Sequence, residues 1–474
     1  MPKILRPMDV YKYLPGTNCG KCGEANCMAF ATKLIERQVS IEQCPEIFEA
    51  KYKDKLEAMR EVLRAPVKDV TIGVGDKAVT VGGKVCVYRH ELTWYHPTAI
   101  AIDVHDEMPE DELVKRVEQV ENFVFERIGM QLKLDMVALR CVSGSPEKFA
   151  KAADIIGKKS KLPMILCTFN PDVMEEALIA VGDKRPLIYA ANERNWKEYA
   201  KLASKYQCPL TVSAPGDLSM LKSLCRSLRK YGLDDLVLDP GTYLVGEGFN
   251  ETINMFTMLR MTAIEKEDKD LGYPLIAVPA AIWLSPKAKE DEASTKMQES
   301  YMACALMSRY ADILVLHSFD IWVLLPILTW RQNLYTDPRV PLSVKPTIYE
   351  VKEPTEKSPL YVTCNSALTY FLIRNDVEAA GGGWIVCVDT GGISLQSSVA
   401  GKRFTADMVA ETLKETGALE KVKHKSVIIP GYAARISGEL EDMLKDWKVF
   451  VGPRDSSAIP SFIEKVWKPE MEGK

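Results

Sequence analysis

Short, continuous apolar runs alternate with amphipathic stretches over most of this chain. From about Thr98 onward the runs are Ala99-Ile100-Ala101-Ile102-Asp103, Met136 to Cys141, Met164 to Cys167, Leu187 to Ala190, Leu210 to Ser213, Leu236 to Asp239, Leu275 to Val278 and Ile313 to Leu316. Between them, stretches such as Glu112–Gly129, Trp196–Tyr206 and Ser219–Tyr231 place apolar residues at helical spacing. Strands apolar on both faces and separated by helices are those of a parallel sheet covered by helices. Eight such units in about 220 residues predict a closed (β/α)8 TIM barrel, with an open doubly wound sheet as the alternative.

The pattern changes on either side of that region. Residues 1–65 read as a small separate domain with helices expected over Ala25–Gln38 and Pro45–Leu63. Val70 to Tyr88 alternates β-branched residues with Gly73, Gly75, Gly82 and Gly83, which predicts a linker hairpin leading into the barrel, so that the barrel domain spans 66–335. Prolines at 338, 341, 346, 354 and 359 punctuate a connector and expected hinge. Beyond it, strands are expected at Leu360–Thr363, Trp384–Asp389, Ser426–Pro430 and Val449–Gly452, with helices over Ser366–Asn375, Ala406–Gly417 and Arg435–Leu444. Residues 336–474 therefore form a third domain, a small open α/β sheet.

Composition narrows the functional class. A chain of 474 residues is too long for one ordinary core, and its 47% apolar and 27% charged content is that of a soluble globular protein. Sixty-one Lys and Arg against 65 Asp and Glu give a net charge of −4, with no general attraction to nucleic acid or anionic membranes. The richest apolar run, Ile321 to Leu328, is too short to span a bilayer. The opening Met-Pro-Lys-Ile-Leu-Arg lacks an apolar signal region, and twelve Cys without one point to a reducing cytoplasm.

Four of those cysteines, Cys19, Cys22, Cys27 and Cys44, form a C-x2-C-x4-C-x16-C cluster within 26 residues, whereas the other eight are spread singly. Structural zinc sites usually pair two similar knuckles. Here three cysteines share one loop and the fourth arrives alone before Pro45, the way thiolates commonly hold iron–sulfur clusters. The expected metal group is a [4Fe-4S] cluster, with zinc as the alternative.

In the C-terminal domain the loops after the four strands are Thr363-Cys364-Asn365-Ser366, Asp389-Thr390-Gly391-Gly392-Ile393, Pro430-Gly431-Tyr432-Ala433-Ala434 and Gly452-Pro453-Arg454-Asp455-Ser456-Ser457. Ligands of open α/β sheets bind at such positions. Gly and Ser also serve there simply to turn and to cap helices, and composition alone favours that reading. No phosphate-binding fingerprint is present. At the barrel rim, where barrel chemistry occurs, stand Asp103, Asn170, Asn192 and Asp239, with His105 and His317 beside them. Such residues are more often caps and loop hydrogen-bonders.

Tyr13-Leu14-Pro15, Asn18-Cys19-x2-Cys22-x4-Cys27, Phe30-Ala31 and Cys44-Pro45 resemble the iron–sulfur domain of one family. It comprises the large (gamma) subunits of the corrinoid/iron–sulfur proteins of the acetyl-CoA decarbonylase/synthase system. Tyr361-Val362-Thr363-x5-Thr369-Tyr370-Phe371, Val388-Asp389-Thr390-x-Gly392-Ile393 and Val451-Gly452-Pro453-Arg454 with Ile459-Pro460 resemble the same family, so the likeness spans the chain. Gly391 stands where the family usually carries Glu. The resemblance implies a cluster domain, a TIM barrel and a corrinoid-binding domain, in that order. It implies a corrinoid held by Thr363, Thr369, Thr390, Gly391, Gly392, Ile393, Gly431, Gly452 and Ser457. The partners implied are a small (delta) subunit in a heterodimer, acetyl-CoA synthase, a methyl-tetrahydropterin or its methyltransferase, and a reductant.

What the resemblance implies is a carrier that accepts a methyl group from an N5-methyl-tetrahydropterin on Co(I) and delivers it to acetyl-CoA synthase. The D-x-H-x-x-G signature that supplies a cobalt-ligating His in many corrinoid proteins is absent from the C-terminal domain. Co(I) is electron-rich and roughly square-planar, so a base-off corrinoid without protein His suits it, and a low-potential cluster offers the electron inlet. Two other readings stand beside this one. The barrel itself is a pterin-dependent methyltransferase using Asp103, Asn170, Asn192 and Asp239, or the chain is an electron-transfer or scaffold subunit without corrinoid.

Overall fold

The computed structural model describes residues 5–36, 38–91 and 94–472. The first four residues, read above for a signal segment, and Arg37, inside the helix expected over 25–38, lie outside them. The chain divides into two compact units, one running through Val124 and from Leu132 to Thr336, the other comprising Phe125–Gln131 and the chain from Asp337 onward.

In the first unit, the cluster segment folds as helix Cys27–Ile35, two 3-10 turns (Pro45–Phe48 and Ala50–Tyr52) and helix Lys53–Leu63. The single helix expected over Pro45–Leu63 is therefore broken at its start. Glu49 takes an extended backbone between the two turns. Two short strands follow, β1 (Val70–Ile72) and β2 (Val79–Val81), paired antiparallel.

The next strands are β3 (Ala99–His105), β4 (Val124–Arg127), β5 (Met130–Lys133), β6 (Met136–Arg140), β7 (Met164–Cys167), β8 (Leu187–Ala191), β9 (Leu210–Ser213), β10 (Leu236–Asp239), β11 (Ile276–Ala277) and β12 (Ile313–Leu316). All eight apolar runs became strands of one parallel sheet, ordered β10-β9-β8-β7-β6-β3-β12-β11. A parallel bridge between Leu238 and Leu275 joins its two ends, and the sheet closes into the expected barrel. The lumen is filled by alternate inward residues, among them Ala101, Met136, Ile165, Leu187, Val237 and Ile313.

The β1–β2 pair is more than a linker. Val70, Ile72 and Val81 belong to the same buried cluster as the lumen residues, so the hairpin plugs the amino-terminal end of the barrel. The contact is tight enough to require glycine. A Cβ at Gly73 would lie 2.7 Å from Pro163, and one at Gly82 would lie 2.2 Å from the Lys68 carbonyl oxygen, both at positive φ. Arg64 and Lys68 reach Asp234, at 3.3 Å and 2.9 Å, and Tyr95 Oη donates to the Glu36 carbonyl at 2.9 Å. The cluster segment is thereby fastened to the end of the barrel opposite its carboxyl-terminal mouth.

The helix expected over Glu112–Gly129 ends at Glu121, and its second half is the β4–β5 pair. Val124-Phe125-Glu126-Arg127 alternates as a strand does, and Ile128 and Gly129, both at positive φ, turn the chain back.

The second unit carries β13 (Ile348–Val351), β14 (Leu360–Cys364), β15 (Gly383–Val388), β16 (Ser426–Ile429) and β17 (Lys448–Val451), ordered β13-β15-β14-β16-β17. β13 is antiparallel to β15 and the others run parallel. β13 is a strand that the proline-rich pattern of the connector concealed. Val344 N–H donates to Asn365 O at 2.9 Å and Ala367 N–H to Leu342 O at 2.9 Å, so 342–351 is built into this unit. The chain leaves β14 towards β15 on one side and returns to β16 on the other, which makes the gap between β14 and β16 a topological switch point.

Gly82→Ala is expected to cost about 2–3 kcal/mol, because the backbone must yield to a Cβ at a left-handed position. Urea unfolding of the two proteins measures the difference, and an unchanged midpoint would show that the plug is not packed as described.

Candidate functional site

The carboxyl ends of the C-terminal strands form a cleft of about 260 Å³. Thr369 and Leu372 of helix Ala367–Ala379, Ser394, Ile429, Tyr432 and Gly452 line it, and the floor includes Tyr361. Two hydroxyls of β14, Tyr361 Oη from the lining and Thr363 Oγ1 two residues further along the same strand face, are buried without a hydrogen-bond partner. Such an atom forfeits its hydration for nothing unless something else completes it.

Of the nine residues expected around a ligand here, Thr369 and Gly452 lie on the cleft. Ile393, Gly431 and Ser457 adjoin the lining residues Ser394, Tyr432 and Ser456. Gly431 is demanded by loop packing, since a Cβ there would meet the Gly452 carbonyl oxygen at 2.8 Å. Ser457 Oγ turns back to Asp455 Oδ1 at 2.9 Å. Thr363, Thr390, Gly391 and Gly392 are not among the lining residues.

Sequence reasoning missed Asn365, which organises the second loop. Its Oδ1 accepts from Thr390 N–H, Thr390 Oγ1 and Gly392 N–H, each at 3.0 Å, and its Nδ2 donates to Asp389 Oδ1 at 3.1 Å. The signal was available, because an Asn at a strand's carboxyl end is suited to tying loops. His424 is the one histidine of this unit. It precedes β16 at the amino end, with Nε2 3.0 Å from Ser358 O and Nδ1 accepting Ser426 N–H at 3.1 Å.

In the cluster segment, Cys22, Cys27 and Cys44 share one apolar cluster with Val10, Leu14 and Phe30. Cys19 is exposed beside Glu46, which also accepts from Thr17. Burial pushes the Cys44 thiol up, and the nearby Cys22 and Cys27 push it the same way. Asn18 Oδ1 accepts Cys27 N–H at 2.9 Å, and Gly20 and Gly23 adopt positive φ in the loop between the ligands. Among the described residues no three His, Cys, Asp or Glu side chains converge as a metal site in this conformation. Three thiols gathered in one apolar patch with a fourth at its rim nevertheless fit the donor set of an iron–sulfur group.

At the barrel mouth, Asp103 Oδ1 is 2.6 Å from His317 Nδ1 and its Oδ2 accepts from Arg140 at 3.1 Å. Burial raises the Asp103 carboxyl, but the His317 hydrogen bond and the charges of His317, Arg140 and Arg116 outweigh it and leave the group below its ordinary range. Asp239 accepts from Tyr189 Oη at 2.7 Å, Ser213 Oγ at 2.9 Å and Gly241 N–H at 2.9 Å, and burial holds its carboxyl above the usual range. Asn170 accepts Asp172 N–H as a helix cap, and Asn192 accepts Arg194 N–H within its own loop. Glu299, which the sequence did not single out, is fully buried and accepts from Trp283 Nε1 at 2.9 Å and Ser318 N–H at 3.1 Å.

A cysteine-rich segment, a closed barrel and an open α/β sheet in one chain define a multidomain α/β protein. Residues 69–463 match the family model described as CO dehydrogenase/acetyl-CoA synthase delta subunit, and 14–46 match the one described as "Putative Fe-S cluster". The acetyl-CoA decarbonylase/synthase complex subunit gamma of Methanothermobacter thermautotrophicus is 45% identical, over 97% of this chain and 98% of its own length. Subunit gamma 2 of Methanosarcina thermophila is 43% identical, over 99% and 100%. The chain belongs to this family of acetyl-CoA decarbonylase/synthase complex gamma subunits. Among solved structures, dihydropteroate synthase of Thermus thermophilus aligns with 56% of this chain and 100% of its own at 17% identity, with a TM-score of 0.40. No helix among the described residues is long and apolar enough to cross a membrane.

Asp103→Asn is expected to cost about 2–4 kcal/mol at pH 7 by leaving Arg140 and His317 without their anion. A carboxyl with a depressed folded pKa stabilises above its unfolded value and loses that contribution as pH falls through the folded one. The gap between wild type and variant should therefore close below about pH 4, as followed by denaturant unfolding across pH.

Proposed function

We propose that this chain is a methyl carrier, with a corrinoid lodged in the C-terminal cleft and a [4Fe-4S] cluster on Cys19, Cys22, Cys27 and Cys44 that restores it after oxidation. When bound, the corrinoid supplies a cobalt nucleophile able to take a methyl group from an N5-methyl-tetrahydropterin and release it to acetyl-CoA synthase. The observation that carries the reading is the cleft at the switch point, whose lining includes Tyr361 with a buried, uncompensated hydroxyl.

The chain's own residues then have distinct tasks. Thr369, Tyr361 and the backbone at Gly452, which line the cleft, would hold the macrocycle, and Thr363, next but one to Tyr361 on β14, would offer a further hydroxyl. Asn365 holds the 389–392 loop in one conformation through its four side-chain hydrogen bonds. His424, engaged on both ring nitrogens at the amino end of β16, is not among the residues lining the cleft. Leu368 and Leu372, 55% and 54% exposed on the helix flanking the cleft, leave apolar surface for a covering partner, which we assign to the delta subunit. The named relatives are themselves subunits of a complex, which supports acetyl-CoA synthase, the pterin donor and a reductant as the other partners.

Produced with its delta partner and supplied with corrinoid, the chain should carry stoichiometric cobalt and a corrinoid visible spectrum; cobalt far below that level rejects the reading. Thr363→Val should stabilise the corrinoid-free chain by about 1 kcal/mol while weakening corrinoid retention about tenfold. Loss of stability without loss of retention would assign Thr363 to packing alone. Cys27→Ser and Cys44→Ser should each remove the cluster's iron and its visible absorption, whereas Cys86→Ser should leave both intact.

A further inference from the structure

The fourth thiol of the cysteine-rich segment is not held as the other three are. Cys22, Cys27 and Cys44 are packed among apolar side chains, with Phe30, Ile47 and Met59 buried beside them. Cys19 stands in the run 16–21, every residue of which is exposed, and no residue of 15–21 belongs to that apolar group. Burial of apolar surface therefore does nothing to place this thiol, and the task falls to polar bonds.

Two side chains supply those bonds. Asn18 Oδ1 accepts the Cys27 N–H at 2.9 Å. The other is Glu46, two residues beyond Cys44. One of its carboxylate oxygens accepts from the Thr17 hydroxyl, and the other pairs with Lys21 Nζ at 3.2 Å. The Cys19 thiol lies within hydrogen-bonding reach of the same carboxylate. Thr17 and Lys21 flank Cys19 in sequence, so one carboxylate grips the ligand loop at three points. An acidic residue in the first turn of a 3-10 helix, as Glu46 is in Pro45–Phe48, ordinarily serves that helix's own N–H groups. Glu46 instead reaches back 25 and 29 residues. Its side chain is 14% exposed against 60% for Lys21, so the grip is partly shielded from water and shared among three donors, unlike an isolated surface pair.

We propose that Glu46 is the positioning residue for the fourth cluster ligand: it draws the exposed Cys19 loop towards Cys44 and so turns a three-thiol patch into a four-thiol site. This rests on the reading that the four cysteines hold an iron–sulfur cluster. The Cys19 corner is then the one most open to solvent and most dependent on a single side chain. With the grip removed, the iron at that corner is the first to leave, while the three packed thiolates keep theirs.

The test uses the full chain in complex with its delta partner, reconstituted with iron and sulfide without oxygen. Ferricyanide removes one electron from a [4Fe-4S] core, which then sheds one ferrous ion and leaves a [3Fe-4S] core on three thiolates, with the fourth thiolate free. Release of that ion to a chelator should be about tenfold faster for Glu46→Ala than for wild type. Iron analysis should show the loss stopping at one iron per cluster, with the three-iron signal in electron paramagnetic resonance. Glu46→Gln, which still accepts from Thr17, should fall between the two. Glu49→Ala, which removes only the surface partner of Lys51 at 2.8 Å, should match wild type. If Glu46→Ala takes up no iron, Glu46→Gln decides by the same measurements. Release at the wild-type rate overturns the inference, and so does loss of all the iron together, which makes Glu46 a support of the whole segment. A wild type that takes up no iron rejects the cluster reading itself, a separate failure seen before any variant is compared.

Discussion

The barrel depends on a buried ion pair at its weakest point. β11 is only two residues long, and the sheet closes on its far side through the single bridge between Leu238 and Leu275. Asp312 secures that region from below. Its Oδ2 accepts from Arg260 at 2.6 Å and from Leu275 N–H at 2.9 Å, and its backbone bonds both Leu275 and Ala99. Arg260 and Asp312 are both about 1% exposed in their side chains, and Lys84 lies 3.7 Å from the remaining carboxylate oxygen. Removing one partner would strand the other charge in the interior, which is far more costly than the pair is favourable. The mouth groups on β3, β10 and β12 hold their positions only while this end remains closed.

Both units apply the same device at different scales. Parallel strands all end on one side, so residues distant in sequence converge there from strand ends and the loops just beyond them. In the barrel this gathers Asp103, Tyr189, Asp239 and His317 around one mouth. In the C-terminal sheet it gathers Thr369, Ser394 and Gly452 around one cleft. The two settings differ in electrostatics. The barrel mouth is ionic, with one carboxyl held low by cations and another held high by burial. The cleft is lined largely by apolar groups, and its polar lining comes from hydroxyls, backbone, the Gln396 amide and the single guanidinium of Arg454.

The plug formed by β1 and β2 gives the barrel two distinct ends. It fills the amino-terminal opening with Val70, Ile72 and Val81, and the cluster segment attaches on that side through Arg64, Lys68 and Tyr95. Within this unit, the cysteine-rich segment and the ionic mouth are thus held apart by the length of the strands.

The architecture was legible because it rests on periodicity. Eight apolar runs at regular spacing leave a barrel as the economical way to bury both strand faces, and the clustered cysteines announce their chemistry through spacing alone. Elements that depend on long-range contact were not legible. The strand at Ile348–Val351 was hidden among prolines because its pairing partner lies thirty-eight residues further on at the register Ile348 to Val386. The hairpin at 70–81 looked like a linker until the lumen it fills was assembled. Gly431 was expected at a ligand and Asn365 read as an ordinary loop residue, and only the approach of the 452–454 backbone and the three donors of the 390–392 loop reveals what each does in the fold. Residue type and spacing determine which elements form and which metal chemistry is available. Which polar groups are satisfied and which are left waiting for a ligand is decided by distances that only the folded chain brings into being.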